Sequence, residues 1–406
     1  MFSPLKLSST ITLQHRVVLA PLTRCRSTDD LCVHELHTAY YGQRATRGGL
    51  LITEATNISG ESLAYDHTPG IYTAKQANAW LAVTEAVHRE GGFISCQLWH
   101  TGRVATSKFR SVPIVASDPL RLPPVGPSDV PIAGREEKPK ELSVDDIKRV
   151  VADYVHAAKL AIEVAKFDLV EVHAAHGYLP DQFLNDKCNT RTDMFGGSIE
   201  NRARFLFEVL DAVQAAVGAE RVAVRISPHA PETMKFNGVD DSNPLAVYDF
   251  VFEQLDKRVK AKRGPAYVLL TEPRWRGGSS DLGAQDPGMQ MPLTFAPRYR
   301  TRFSGTLIGA GGFTPNNAKQ ALDDGHVDAV AFGRWFISNP DLVERLRTGA
   351  ALNAYDRASF YLAPNAPTQG PASAVGYTDY PRHGEPLGRY SLVEQSVIGA
   401  KSAPKL

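Results

Sequence analysis

Short apolar runs rich in Val, Ile and Leu recur along the chain, each followed by a longer stretch whose apolar positions return at helical spacing. Eight such runs stand out: VVLAPLT (17–23), LLITEAT (50–56), FISCQLW (93–99), LVEVHAA (169–175), VAVRIS (222–227), YVLLTE (267–272), TLIGAG (306–311) and AVAFGR (329–334). All are strand-length and apolar enough to be buried on both faces. Strict β/α alternation of this kind predicts a parallel sheet, and eight units is the count at which such a sheet closes into a (β/α)8 TIM barrel. An open doubly wound sheet is the alternative. Its G-x-G-x-x-G signature is missing from the βα turns, because Gly309, Gly311 and Gly312 do not have that spacing.

Helix punctuation supports the alternation. Ser143 to Asp146 reads as a capping-box start, followed by an apolar stripe at Ile147, Val150, Val151, Tyr154, Val155 and Ala158. Phe205, Leu206, Val209, Leu210 and Val213 repeat the pattern after the fourth strand. Thr314-Pro315 and Asn339-Pro340 each suggest a capping side chain before a proline at the first helical position, and Gly349 is placed to close the last helix.

Three segments fall outside the repeat. Leu5, Leu7, Ile11 and Leu13 within residues 1–16 suggest a hairpin plugging the barrel floor. Residues 113–139 hold seven of the chain's 27 prolines, which predicts an extended excursion over the barrel mouth after the third strand. Beyond residue 350 a loop leads to a polar end, so we expect one barrel over 1–387 and a flexible tail over 388–406.

Charge and composition narrow the function. With 45 Lys+Arg against 44 Asp+Glu the formal net charge is +1, and no basic stripe offers a footprint for nucleic acid or an anionic membrane. No run of about 18 apolar residues and no signal-peptide pattern occurs in the sequence. Cys25, Cys32, Cys96 and Cys188 lie far apart with no CxxC pair. They suggest neither a disulfide framework nor zinc, and they fit a reduced, cytoplasmic setting.

Barrel enzymes place their chemistry at the C-terminal ends of the strands. There the sequence has Thr23, Glu54, Gln97 with Trp99, His173 with His176 and Tyr178, Arg225, Thr271 with Glu272, Gly311 with Gly312, and Gly333 with Arg334. The glycine pairs follow strands seven and eight, where barrels commonly hold phosphate; the plain reading is that they only make tight turns. Arg225 alternates with Ala223 and Ser227 and points inward, so it needs an anion, either Glu171 on the neighbouring strand or a ligand that becomes negative. His173 and His176 lack the spacing and carboxylates of a zinc site, and with Tyr178 they suggest hydrogen-bond donors for a carbonyl oxygen and a phenolic proton donor.

In this order the residues resemble the old yellow enzyme family of flavin-dependent ene-reductases, and in particular its plant-type 12-oxophytodienoate reductases. The likeness covers roughly residues 2–381. It is densest in VEVHAAHGYLPDQFLNDKCNTRTDMFGGSIENRARF (170–205), with support from LAPLTRCR, CQLWHTGR, LLTEPRW, GAGGFT, AFGRWFISNPDL and GYTDYP. The resemblance implies FMN, held tightly but non-covalently. Pro21, Leu22 and Thr23 would line the flavin, Ala55 and Gln97 its pyrimidine edge, and Arg225 the N1 and C2-carbonyl region where negative charge gathers on reduction. Gly311, Gly312, Gly333 and Arg334 would hold the phosphate. His173 and His176 would grip an enone carbonyl, Tyr178 would supply the proton, and Trp99, Phe360 and Tyr361 would wall the pocket.

The reaction so implied is ping-pong: NADPH, with NADH as the alternative, reduces the flavin and leaves, and an activated alkene takes its place. The partners are therefore small molecules, acting on a monomer or homodimer. A flavin-dependent dehydrogenase or isomerase of amines or alkaloids is a competing reading, against which Tyr178 speaks; a barrel that merely binds phosphate would lack the His, His, Tyr and Arg set. The family usually runs quickly from its SFY-type segment to GYTDYP, whereas APNAPTQGPASA (363–374) intervenes here. Substrate preference therefore does not carry over. The terminal Pro-Lys-Leu is close to, but not, the peroxisomal Ser-Lys-Leu address.

Overall fold

A computed structural model of the chain describes residues 1–106, 123–228, 241–273, 293–361 and 374–398. Most of the 363–374 insertion, the first part of the proline-rich excursion and the terminal Pro-Lys-Leu lie outside the described residues.

The chain opens with β1 (Leu5–Lys6) and β2 (Thr12–Leu13), an antiparallel hairpin. It continues through β3 (Val17–Leu19), β4 (Leu50–Ile52), β5 (Thr56–Asn57), β6 (Phe93–Trp99), β7 (Val125–Gly126), β8 (Lys140–Glu141), β9 (Leu169–Ala174), β10 (Val222–Ile226), β11 (Val268–Thr271), β12 (Leu307–Ala310) and β13 (Ala329–Phe332). The main sheet has the order β4-β3-β13-β12-β11-β10-β9-β6-β5, and a further pairing of β4 with β6 closes it. β3, β4, β6 and β9 to β13 thus form a closed ring of parallel strands, a (β/α)8 TIM barrel, and all eight predicted runs contribute to it.

The core divides at the barrel wall. Outward-facing residues such as Leu51, Ile94, Val170 and Leu270 pack under the helices in one large cluster. Inward-facing Val18, Leu50, Leu169 and Leu269 form a second cluster, and Leu7, Ile11 and Leu13 of the first hairpin belong to it. The hairpin therefore seals the floor, as its alternating apolar residues predict.

Helices on the outside are α1 (Glu35–Arg44), α2 (Ala74–Arg89), α3 (Val144–Lys159), α4 (Leu179–Leu184), α5 (Ile199–Val217), α6 (Pro244–Lys260), α7 (Phe295–Arg300), α8 (Pro315–Asp323), α9 (Arg334–Ser338) and α10 (Leu342–Thr348). Ser143 and Asp146 form a capping box on α3, and Thr314 caps α8 with Pro315 at its start. Gly349 ends α10 in the left-handed region at φ 73°. Asn339-Pro340 does not start a helix: α10 begins at Leu342 behind Asp341. The Asn339 amide is committed elsewhere, donating to Trp335 O and accepting from the Asn353 N–H, so it closes α9 and anchors the next segment.

That segment is β14 (Leu352–Asn353), which pairs antiparallel with β15 (Leu392–Val393). Residues 388–398, assigned above to a flexible tail, are thereby docked on the barrel. Gln395 donates to Arg345 O and Ala350 O, and Ile398 is buried, so a few apolar and amide contacts hold an otherwise polar stretch. None of Cys25, Cys32, Cys96 and Cys188 forms a disulfide. No helix among the described residues is long and apolar enough to cross a membrane.

The floor plug is a testable part of the core. Leu13 is fully buried, so Leu13→Ala is expected to lower unfolding stability by about 3 kcal/mol in urea titration. A loss under about 1 kcal/mol would show that the hairpin closes the barrel only loosely.

Candidate active site

Strand order fixes where each polar residue stands around the mouth. β9, which carries His173, lies opposite β13, which leads into Gly333, with β3, β4 and β6 on one side and β10, β11 and β12 on the other. The histidine cluster and the glycine turns therefore face each other across the barrel. Arg225 is register-paired with His173 and Gln97 with Glu171, so β9 is flanked by a cation on one side and an amide on the other.

His173 is buried and its Nδ1 accepts the Ala175 N–H at 3.3 Å, which leaves Nε2 as the donor. His176 stands edge-on to His173, with ring centroids 5.5 Å apart. Its backbone is left-handed at φ 62°, held by donation of its N–H to Ser227 Oγ at 2.8 Å. Burial pushes both imidazoles well below their ordinary pKa, and the Arg225 charge adds to the effect. Both are neutral donors at physiological pH. Tyr178 stands at the start of α4, edge-on to His173 at 4.9 Å and to Trp99 at 5.0 Å. Burial raises its pKa well above the ordinary value, so the phenol keeps its proton.

Arg225 donates through Nε to Thr271 Oγ1 at 3.3 Å, and no carboxylate oxygen among the described residues lies within 4.0 Å of its guanidinium. Glu171, on the neighbouring strand, instead accepts from Gln97 Nε2 at 2.6 Å. Burial lifts the Glu171 carboxyl to about 7, against the pull of Arg225. The two charges feel each other without a direct ion pair. Glu272 is drawn away from the mouth and accepts the Thr294, Phe295 and Ala296 N–H groups at the start of α7.

On the far side, Gly311 and Gly312 have φ of 94° and 66°. A Cβ on Gly311 would meet Glu272 O at 2.3 Å, and one on Gly333 would meet Leu22 Cδ2 at 3.2 Å. The N–H groups of Gly311, Gly312 and Gly333 donate to no atom of the described residues. Arg334 lies beside them, its Nη1 on Tyr355 Oη at 3.0 Å. A guanidinium without an ion pair at one end and three uncommitted N–H groups at the other suit an elongated ligand with a terminal phosphate and an edge that takes up negative charge. FMN has that form.

Of the predicted wall residues, Trp99 is buried and shares a cluster with Ala55 and Tyr178. Phe360 packs beneath the rim against Ile337 and Tyr380, with Leu22 beside it, and Tyr361 is 60% exposed above it. Pro21 is buried, and Leu22 and Thr23 are half-buried at the mouth.

One aromatic residue of the site escapes a search of strand ends. Tyr65 stacks on Trp99 at 5.9 Å, and its hydroxyl is hydrogen-bonded to that of Tyr178. It lies on a loop well beyond β5, and no periodicity marks it. Glu54, named among the strand-end residues, points behind the mouth, where Oε2 accepts the Arg24 N–H at 3.1 Å and Oε1 faces His37 Nε2 at 3.8 Å. Burial raises it to about 7, opposed by Arg24 and Arg26.

The neutral histidines have a measurable consequence. His173 takes up a proton on unfolding below pH 6.5, so its contribution to stability is present above that pH and is lost as the pH falls. His173→Asn is therefore expected to shrink the loss of stability between pH 7 and pH 5 by about 2 kcal/mol in urea titrations. An unchanged difference would mean that the imidazole is charged in the folded protein.

Comparison with known proteins identifies the family. The model of the NADH:flavin oxidoreductase / NADH oxidase family matches residues 1–353. The chain is 44% identical to 12-oxophytodienoate reductase 1 of Oryza sativa subsp. japonica over 385 residues, 94% of this chain and 92% of that one. The solved structure of morphinone reductase in complex with tetrahydroNAD superposes with a TM-score of 0.79 at 42% identity, covering 94% of this chain and 97% of that one. The old yellow enzyme homologue from Zymomonas mobilis gives 0.77 at 36% identity, covering 94% and 99%. The chain belongs to the NADH:flavin oxidoreductase / NADH oxidase family and is an FMN flavoprotein with the old yellow enzyme fold.

Proposed function

We propose that the protein is an ene-reductase that reduces the C=C bond of α,β-unsaturated carbonyl compounds at the expense of NADPH or NADH. The observation that carries the reading is the convergence of two neutral imidazoles and one protonated phenol opposite an anion-seeking mouth. When bound, FMN supplies the two-electron chemistry, accepting a hydride from the nicotinamide and returning it to the β-carbon of the alkene.

The protein's own groups do the rest. Gly311, Gly312, Gly333 and Arg334 hold the phosphate end. Pro21, Leu22 and Thr23 line one side of the ring, Ala55 and Gln97 its pyrimidine edge, and Arg225 faces the region where negative charge gathers. His173 and His176 donate to the carbonyl oxygen of the substrate and withdraw charge from its double bond, which makes the β-carbon electrophilic. Because burial keeps both rings neutral, they polarise the oxygen without giving up a proton. Tyr178 holds the proton destined for the α-carbon, and its raised pKa reserves that proton for a basic carbon. Trp99, Phe360 and Tyr361 shape the space around the alkene. The cysteines, none of them in a disulfide, play no part and fit the cytoplasm, where we place the enzyme.

Purified protein is expected to be yellow, to bleach anaerobically with NADPH or NADH, and to recover its colour with 2-cyclohexenone. Colourless protein that takes up no FMN would overturn the proposal. Tyr178→Phe is expected to slow enone turnover by roughly 10²-fold or more while flavin reduction by the nicotinamide persists. Equal loss in both half-reactions would remove Tyr178 from its role.

A further inference from the structure

We propose that Arg24 is a positioning residue: it ties the turn carrying Thr23, on the flavin side of the mouth, to the rim carrying Phe360 and Tyr361, on the substrate side. The inference rests on the ene-reductase reading for what the two sides do.

The connection is direct. Arg24 follows Thr23 in the chain and is fully buried. Its backbone N–H donates to Glu54 Oε2 at 3.1 Å, which holds the turn against β4. Its guanidinium leaves in the other direction, with Nε donating to Phe360 O at 3.0 Å and Nη2 to Gly376 O at 2.7 Å. Arg26 repeats the bridge, donating through Nη2 to Ser359 O at 2.9 Å and Val375 O at 3.0 Å. Two arms of the chain, 359–361 and 374–377, are thus gripped side by side by one turn more than 300 residues away in sequence.

Filling the space alone does not explain an arginine here. A buried guanidinium pays a desolvation penalty that an apolar side chain of similar volume avoids. What the guanidinium adds is a rigid fork whose donors point to two carbonyls at once, which the single ammonium of lysine does not reproduce. The rings of Tyr377 and Tyr40, 5.0 and 5.3 Å from Arg24 Cζ, supply faces for the cation.

Gly376 shows how closely the arms approach. It has a φ of 63°, and a Cβ on it would lie 1.8 Å from Ser359 Oγ. The position of the arms matters to the reaction because the gripped Phe360 stands edge-on to Tyr361, with ring centroids 6.4 Å apart, and both are assigned to the pocket wall. A rim that drifts would move Tyr361 relative to the proton donor.

The test uses the FMN-loaded full chain and two variants, Arg24→Lys and Gly376→Ala; the second pushes the arms apart while leaving Arg24 intact. Two quantities are measured: KM and kcat for 2-cyclohexenone at fixed nicotinamide, and amide hydrogen exchange of 359–361 and 374–377 by mass spectrometry. Each variant is expected to raise the enone KM about fivefold or more with kcat within about twofold, and the double variant to add little. Exchange in the two arms is expected to accelerate roughly tenfold while the barrel strands are unchanged. Unaltered KM and exchange would overturn the proposal, as would KM, kcat and flavin content failing together, the mark of a merely structural residue. A wild-type protein without enone turnover would remove the ene-reductase reading, and the exchange measurement would then decide the tie alone.

Discussion

A guanidinium at a barrel mouth requires negative charge, and Arg225 has no carboxylate within 4.0 Å among the described residues. Much of the site follows from that constraint. Its charge helps to keep His173 and His176 neutral, and it pulls on Glu171, whose own burial holds it near neutrality. Gln97 satisfies one Glu171 oxygen in place of a direct ion pair. The cation is thereby left without a direct ion pair among the described residues, open to an anionic ligand.

The barrel itself was legible because each strand is apolar on both faces, a pattern that few other arrangements of this length share. Strand-end chemistry was legible for the same reason: alternation places Arg225, Glu171 and His173 on the inward face. Tyr65 was hidden because its loop obeys no period, and its role depends on stacking against Trp99, a contact between elements distant in sequence. Arg24 and Arg26 were hidden because their partners are backbone carbonyls, which any residue supplies. Asn339-Pro340 misled because an asparagine amide serves a helix end as readily as a helix start. The docking of 388–398 rests on one short strand pair and a glutamine, too little apolar pattern to announce itself.

The mouth combines two kinds of rigidity. The histidine, arginine and glycine positions are set by the hydrogen-bonded ring of strands, so their mutual placement is a property of the barrel. The aromatic rim is set by side chains gripping backbone, a looser device that tolerates change in the residues between the grips. Relatives with the same barrel are therefore free to differ in what they accept at the rim while keeping the same chemistry beneath it.

The sealed floor has a consequence for traffic. Leu7, Ile11 and Leu13 fill the end of the barrel opposite the mouth, which closes that end to a ligand. Under the proposed function, a reductant and an alkene that meet the same face of one ring would take turns at the open end. The departure of one spent molecule would then set how soon the next could enter, and a small apolar hairpin far from the mouth would help to impose that order.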